Sequence, residues 1–141
     1  MTKINPHIFR AYDIRGIADP IDNTPPDLTV ETVYLIGKGT GAYLRKKYDT
    51  KPMAVGRDVR LHSKKLQKAF MHGVSETGIK VTDVGLSVSP MIYFASCLNE
   101  FDSATNITAS HNPKEYNGIK TVAKNAHSIC GDELQDRKSV V

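Results

Sequence analysis

From Phe9 to Lys120 the chain alternates segments of strand period with segments carrying apolar residues at three- and four-residue steps, and this alternation limits the folds open to it. Strand patterns run from Phe9 to Ile17, Pro52 to Gly56, Ile79 to Gly85 and Ala104 to Thr108. Between them lie three helical patterns. Val30, Val33, Tyr34, Gly37, Gly41 and Leu44 lead to about Tyr48 behind a cap at Asp27 or Thr29. Ser63 caps a second helix carrying Leu66, Ala69, Phe70, Gly73 and Val74, and Ser89-Pro90 opens a third with Ile92, Ala95 and Leu98. Such alternation predicts an α/β fold, three-layer α/β/α with a mostly parallel or mixed sheet. Ligands of these sheets bind at the carboxyl ends of the strands, which directs attention to the loops after Gly56 and after Thr108.

A chain of 141 residues holds one domain with a single core. Its 40% hydrophobic and 24% charged residues exclude a disordered or fibrous reading. No apolar run is long enough for a bilayer, and Met1 to Pro6 lacks the apolar core of a signal peptide. Cys97 and Cys130, with no repeated spacing, read as free thiols, so a cytoplasmic setting is expected. The net charge of +4 suits a small anionic ligand. Arg45-Lys46-Lys47 is the densest basic run, and it reads as a last helical turn complementing the helix dipole; neither nucleic acid nor membrane is expected as a partner.

Two apparent motifs are decoys. Gly37-Lys38-Gly39-Thr40-Gly41-Ala42 matches a dinucleotide pattern, but its glycines fall inside a helical period and read as close-packing positions against the sheet. His127-Ser128-Ile129-Cys130 lacks the second ligand pair a zinc site needs, and His62 and His72 read as surface or packing histidines.

Thr108-Ala109-Ser110-His111-Asn112-Pro113 is where the chemistry concentrates. Pro113 disfavours helix at Asn112, so the strand breaks into a turn that exposes the Ser110 hydroxyl. Asn117-Gly118 reads as a tight-turn pair that delivers Lys120 on the next extended piece. No G-x-S-x-G elbow surrounds Ser110, and neighbours on an extended turn point apart, which argues against a Ser110-His111 hydrolase. Standing alone, the turn would be a hydrogen-bonded Asx turn, and Arg15 a surface partner of Asp13 or Asp19.

Taken together with Tyr116-Asn117-Gly118-Ile119-Lys120 and Phe9-Arg10-Ala11-Tyr12-Asp13-Ile14-Arg15-Gly16, that turn resembles the α-D-phosphohexomutase family, the phosphomannomutases and phosphoglucomutases. The likeness extends from about Ile8 to about Leu134 and covers the first of the family's four domains. It implies that Ser110 is carried as a phosphoserine, exchanging its phosphoryl group with hexose phosphates through a sugar bisphosphate that also serves as activator. Arg15, His111 and Lys120 are then catalytic: Arg15 approaches the phosphate, and a desolvated Lys120 crowded by Arg15 is the general base. Tyr12, Asn112 and Arg57 are implied substrate contacts. Arg57 and Arg60 would fix the phosphate environment, unless Arg57 and Asp58 form a structural network. Mg2+ is implied on the Ser110 phosphate, with its other ligands in an Asp-Gly-Asp loop of a C-terminal domain absent here. The chain is therefore expected to be inactive alone. The alternative is a non-catalytic subunit that binds sugar phosphate or a partner, including self-association through an uncovered face. Asp132 and Gln135 resemble a capping box, and Gln135 to Val141 is expected to leave the family pattern, as in a truncated product.

Overall fold

Helix α1 (Val30–Tyr48) begins where the Thr29 hydroxyl accepts the Thr32 N–H at 3.1 Å and ends where Asp49 turns left-handed at φ 50°. In this computed structural model, which describes residues 4–134, α1 follows a short strand β1 (Ile14–Ile17). The expected first strand was longer. Pro6–Ile8 instead forms a 3-10 turn, and only a single bridge, Phe9 to Ile14, precedes β1.

Beyond α1 come β2 (Pro52–Arg57), α2 (Ser63–Ser75), β3 (Lys80–Leu86), α3 (Ser89–Cys97), β4 (Ser103–Ile107), β5 (Tyr116–Ala123) and the two-residue β6 (His127–Ser128). The sheet order is β1-β5-β4-β2-β3, with β6 also on β5. β2 runs parallel to β3 and β4, whereas β5 is antiparallel to β4 and to β1, so the sheet is mixed. Alternation along β2 sorts the two faces: Met53 and Val55 join Val33, Leu44, Leu66 and Phe70 beneath α1 and α2, while Ala54 meets Ile92 of α3 with Ala104 and Val122. The molecule is thus a three-layer α/β/α domain. Fully burying a side chain such as Phe70 or Leu66 contributes about 1.5–3 kcal/mol by area alone.

Three local expectations are corrected. Gly37 and Gly41 pack on α2 and the turn after it, not on the sheet: a Cβ at Gly37 would lie 2.3 Å from the Phe70 carbonyl oxygen, and one at Gly41 would lie 2.5 Å from Thr77 Oγ1. Ser63 is the first residue of α2 rather than its cap; the capping position is His62, and the Ser63 hydroxyl donates instead to Asp58 Oδ1. Asn117-Gly118 does not turn but lies within β5, where Gly118 pairs with Arg15. A Cβ there would sit 2.5 Å from Ile14 O and 2.7 Å from Thr108 O, so three backbones converge where only glycine fits.

The segment after β6 is fastened to α1 through Glu133, which accepts from Lys47 Nζ at 2.6 Å, Tyr43 at 3.1 Å, His127 at 3.1 Å and the Tyr48 hydroxyl. Burial alone would raise this carboxyl, but the bonds from Lys47, Tyr48, His127 and Tyr43 outweigh it and hold the pKa down at about 2. Burial and the Glu133 contact push the Tyr48 phenol up to about 12. His127 is thus engaged by a carboxylate, and among the described residues no group of three His, Cys, Asp or Glu could hold a metal. Cys97 and Cys130 are free. No helix among the described residues is long and apolar enough to cross a membrane. The Asp132 to Gln135 capping box falls partly outside them.

Candidate functional site

The loops leaving β2, β3 and β4 meet at the carboxyl edge of the parallel strands around an open pocket of about 1150 Å³, lined among others by Arg60, His62, Ser87, Asn106, Ser110 and His111. Ser110 stands at the tip of the β4 loop in the left-handed region, φ 55°, a conformation rare for a residue with a Cβ and held only by surrounding contacts. Its N–H donates to Thr108 Oγ1 at 3.0 Å, and the Asn112 N–H and Nδ2 both return to Ala109 O, at 3.1 and 2.8 Å. Because Ser110 is not extended, its side chain and that of His111 do not point apart as expected. Ser110 Oγ lies 3.2 Å from His111 Nδ1 and donates to it when that nitrogen carries no proton.

Arg15 reaches this turn from two strands away. Its Nη1 donates to Ala109 O at 2.8 Å, while Nε and Nη2 grip Asp13 Oδ2 at 2.9 and 2.7 Å. It passes its β5 partner Gly118, where a Cβ would lie 3.5 Å from Arg15 Cγ, an ordinary packing distance. Arg15 therefore makes the Asp13 pair that composition suggests and also touches the residue before Ser110.

Lys120 pairs with Asn106 across the β4–β5 ladder, so both side chains share the α3 face, and its Nζ lies 5.8 Å from the centre of the Tyr93 ring. Asn106 lines the pocket; Lys120 does not, and the Arg15 charge is met by Asp13 rather than pressed on Lys120. Tyr12 is 74% exposed before β1 and away from the pocket lining. Arg57, at the end of β2, donates to the Asp58 carbonyl at 3.4 Å, while the Asp58 carboxylate is engaged by Arg60 and Ser63. The structure thus brings Ser110, His111 and Asn112 together, adds Arg15 by a backbone contact, and leaves Tyr12 and Arg57 outside.

Two residues with a larger hold on the turn were given other places by the sequence: Arg60 beside the phosphate and His62 as a surface or packing histidine. Arg60 donates to the carbonyls of Ser110, Asn112, Pro113 and Tyr116. His62, 2% exposed, meets Lys114 O through Nε2 at 3.1 Å and accepts from Asn117 Nδ2 at 2.7 Å through Nδ1, contacts that the tautomer with its proton on Nε2 satisfies together. Asn117 also donates to Ser63 Oγ at 2.8 Å. The available signal was the spacing Asp58-x-Arg60-x-His62-Ser63 directly after a strand end, where α/β sheets hold their ligands.

With this geometry in view, residues 6–136 match the model of the phosphoglucomutase/phosphomannomutase α/β/α domain I. A phosphomannomutase of Vibrio cholerae is 40% identical over 126 residues, covering 88% of this chain and 26% of that protein. A phosphoglucomutase of Neisseria meningitidis serogroup B is 38% identical over 141 residues, covering 100% of this chain and 29% of the relative. That alignment takes in residues 135–141, where the sequence alone was expected to leave the family pattern. A phosphoglucomutase/phosphomannomutase family protein of Burkholderia thailandensis, known as a crystal structure, superposes with a TM-score of 0.83 at 34% identity over 97% of this chain and 30% of its own. The chain therefore spans roughly a quarter to three tenths of the length of these relatives.

Proposed function

This chain belongs to the phosphoglucomutase/phosphomannomutase family, matching its domain I, and on that premise we propose that Ser110 is the phosphoryl carrier of a hexose phosphate mutase. The observation that carries the reading is the Ser110 loop itself: an exposed hydroxyl in a strained left-handed conformation, tied from behind and presented to the pocket. In the first transfer the phosphoserine Oγ–P bond breaks as a sugar hydroxyl oxygen bonds to phosphorus, the sugar's proton leaving to a base and Oγ regaining a proton. The bisphosphate then returns its other phosphoryl group to Ser110, so the phosphate has moved within the sugar and the carrier is restored.

In this reading His111 Nδ1 guards the Oγ proton, Arg15 supplies positive charge one residue from the carrier, and Lys120 is the base for the sugar hydroxyl. Tyr12, Asn112 and Arg57 remain proposed substrate contacts, although Asn112 already spends its amide on the turn. A divalent cation such as Mg2+ does not fit the described residues by themselves, since no cluster of three ligands exists among them; beyond the Ser110 phosphate its ligands must come from outside this unit. We place the chain as one domain of a larger cytoplasmic enzyme. A second reading, a non-catalytic partner-binding or self-associating subunit, draws support from Val59, Leu61, Val88, Met91 and Phe94, which are large, apolar and exposed.

The test grafts residues 1–134 in place of the matching segment of the Vibrio cholerae relative and follows intact mass after incubation with a hexose bisphosphate. The parent graft is expected to gain one phosphoryl group and the Ser110→Ala graft none. Equal labelling of both would remove Ser110 as the carrier.

A further inference from the structure

We infer that Arg60 is a positioning residue that sets the shape of the Ser110 loop, and that it is not a phosphate ligand. This rests on reading Ser110 as the carrier. A guanidinium has five N–H donors in a planar fork. Nη1 of Arg60 donates to Pro113 O at 2.6 Å and Tyr116 O at 3.1 Å, and Nη2 to Asn112 O at 2.6 Å and Ser110 O at 3.2 Å. The remaining nitrogen, Nε, lies 3.3 Å from Asp58 Oδ2, and the side chain is 15% exposed. All four Nη N–H groups are thus spent on main-chain carbonyls and Nε faces a carboxylate, so the face of the fork that could grip a phosphate bidentately is already occupied.

Asp58 is itself fixed. Its Oδ1 accepts the Arg60 N–H at 3.0 Å and the Ser63 hydroxyl, which anchors the clamp on the first turn of α2. The consequence for the carrier follows from peptide planarity. Every described peptide is trans, so drawing the Ser110 carbonyl towards Arg60 turns the following N–H, that of His111, away from the guanidinium. That N–H makes no hydrogen bond among the described residues. Arg60 thereby orients the peptide on the carboxyl side of the carrier and leaves one donor free beside it. Removing the fork takes a charged donor from four carbonyls at once, of which Pro113 O keeps the Tyr116 N–H, and bonds to a charged donor are among the stronger hydrogen bonds in proteins.

The experiment uses the 141-residue chain with Arg60→Met and Arg60→Lys. Tryptic cleavage after Lys114 and hydrogen exchange at the Asn112 and Tyr116 amides, which close the loop on Ala109 O and Pro113 O, report the loop. Exchange at Val55 and Ile107 reports the core. Both variants are expected to raise loop cleavage and loop exchange at least about tenfold with core exchange unchanged. Lysine is expected not to rescue, because one ammonium keeps the charge but cannot span the carbonyls. Protection by lysine equal to that by arginine would overturn the fork argument. A protected loop in Arg60→Met, or core exchange rising with it, would overturn the positioning role. None of these readings needs phosphoryl transfer, so a parent graft that takes no phosphoryl group sinks the carrier assignment and leaves the clamp standing.

Discussion

Gly118 is the residue on which the close approach of β1 to the Ser110 loop depends. Its missing side chain lets the Ile14 and Thr108 carbonyls close on it from both sides, with the Thr108 N–H reaching Gly118 O at 3.0 Å. We expect Gly118→Ala to lower stability by about 1–3 kcal/mol, since the two nearest neighbours of its Cβ would be backbone oxygens that cannot swing aside. Chemical denaturation read against the parent checks this; a loss under about 0.5 kcal/mol would mean the strands separate freely there. The same glycine shows what a sequence leaves unread. Asn-Gly is a strong local turn signal, but pairing with β1 on one side and the bond from the Thr108 N–H on the other override local preference. The Ser110 turn was legible because Pro113 acts within its own few residues. The grip of Arg60 on that turn was not, because its partners lie 50 to 56 residues away and no local rule brings them together.

At the level of elements, α1 and α2 approach through facing glycines: a Cβ at Gly37 would lie 2.3 Å from Phe70 O, and one at Gly73 would lie 2.1 Å from Tyr34 O. Gly37→Ala gains helix propensity, about 1 kcal/mol, yet is expected to destabilise the chain because the helices must part. A raised melting temperature for Gly37→Ala would show that the contact gives way. Periodicity marked both helices within a residue or two, but it could not say whether their small residues faced the sheet or each other. The Glu133 fastening yields a pH prediction. The folded pKa, about 2, is below the ordinary 4.5, so its contribution is complete above about 4.5 and fades as pH falls towards 2. Melting temperatures of the parent and Glu133→Gln should therefore differ near neutral pH and converge as the medium is acidified over that range. A gap that persists at about pH 2 would assign the effect to packing rather than charge.

For the whole molecule, folding and catalysis separate. The alternation of elements settled the layer architecture, and each face of the sheet is covered by its own helices, so the isolated chain should melt cooperatively with a single core transition. Turnover is a different requirement. Phosphoryl transfer depends on positioning and electrostatic stabilisation, and this unit presents the Ser110 hydroxyl on a pocket of about 1150 Å³ with no cluster of three metal-ligating side chains among the described residues. Lacking the metal's protein ligands and any enclosure of the sugar, it forgoes on the order of 10 kcal/mol of barrier lowering, roughly seven powers of ten in rate. We therefore expect no conversion above background of mannose 1-phosphate or glucose 1-phosphate by the purified chain, in a coupled assay with magnesium and a hexose bisphosphate. Robust turnover abolished by Ser110→Ala would mean instead that a second copy of this unit supplies the enclosure across the open rim of Val59, Leu61 and Val88.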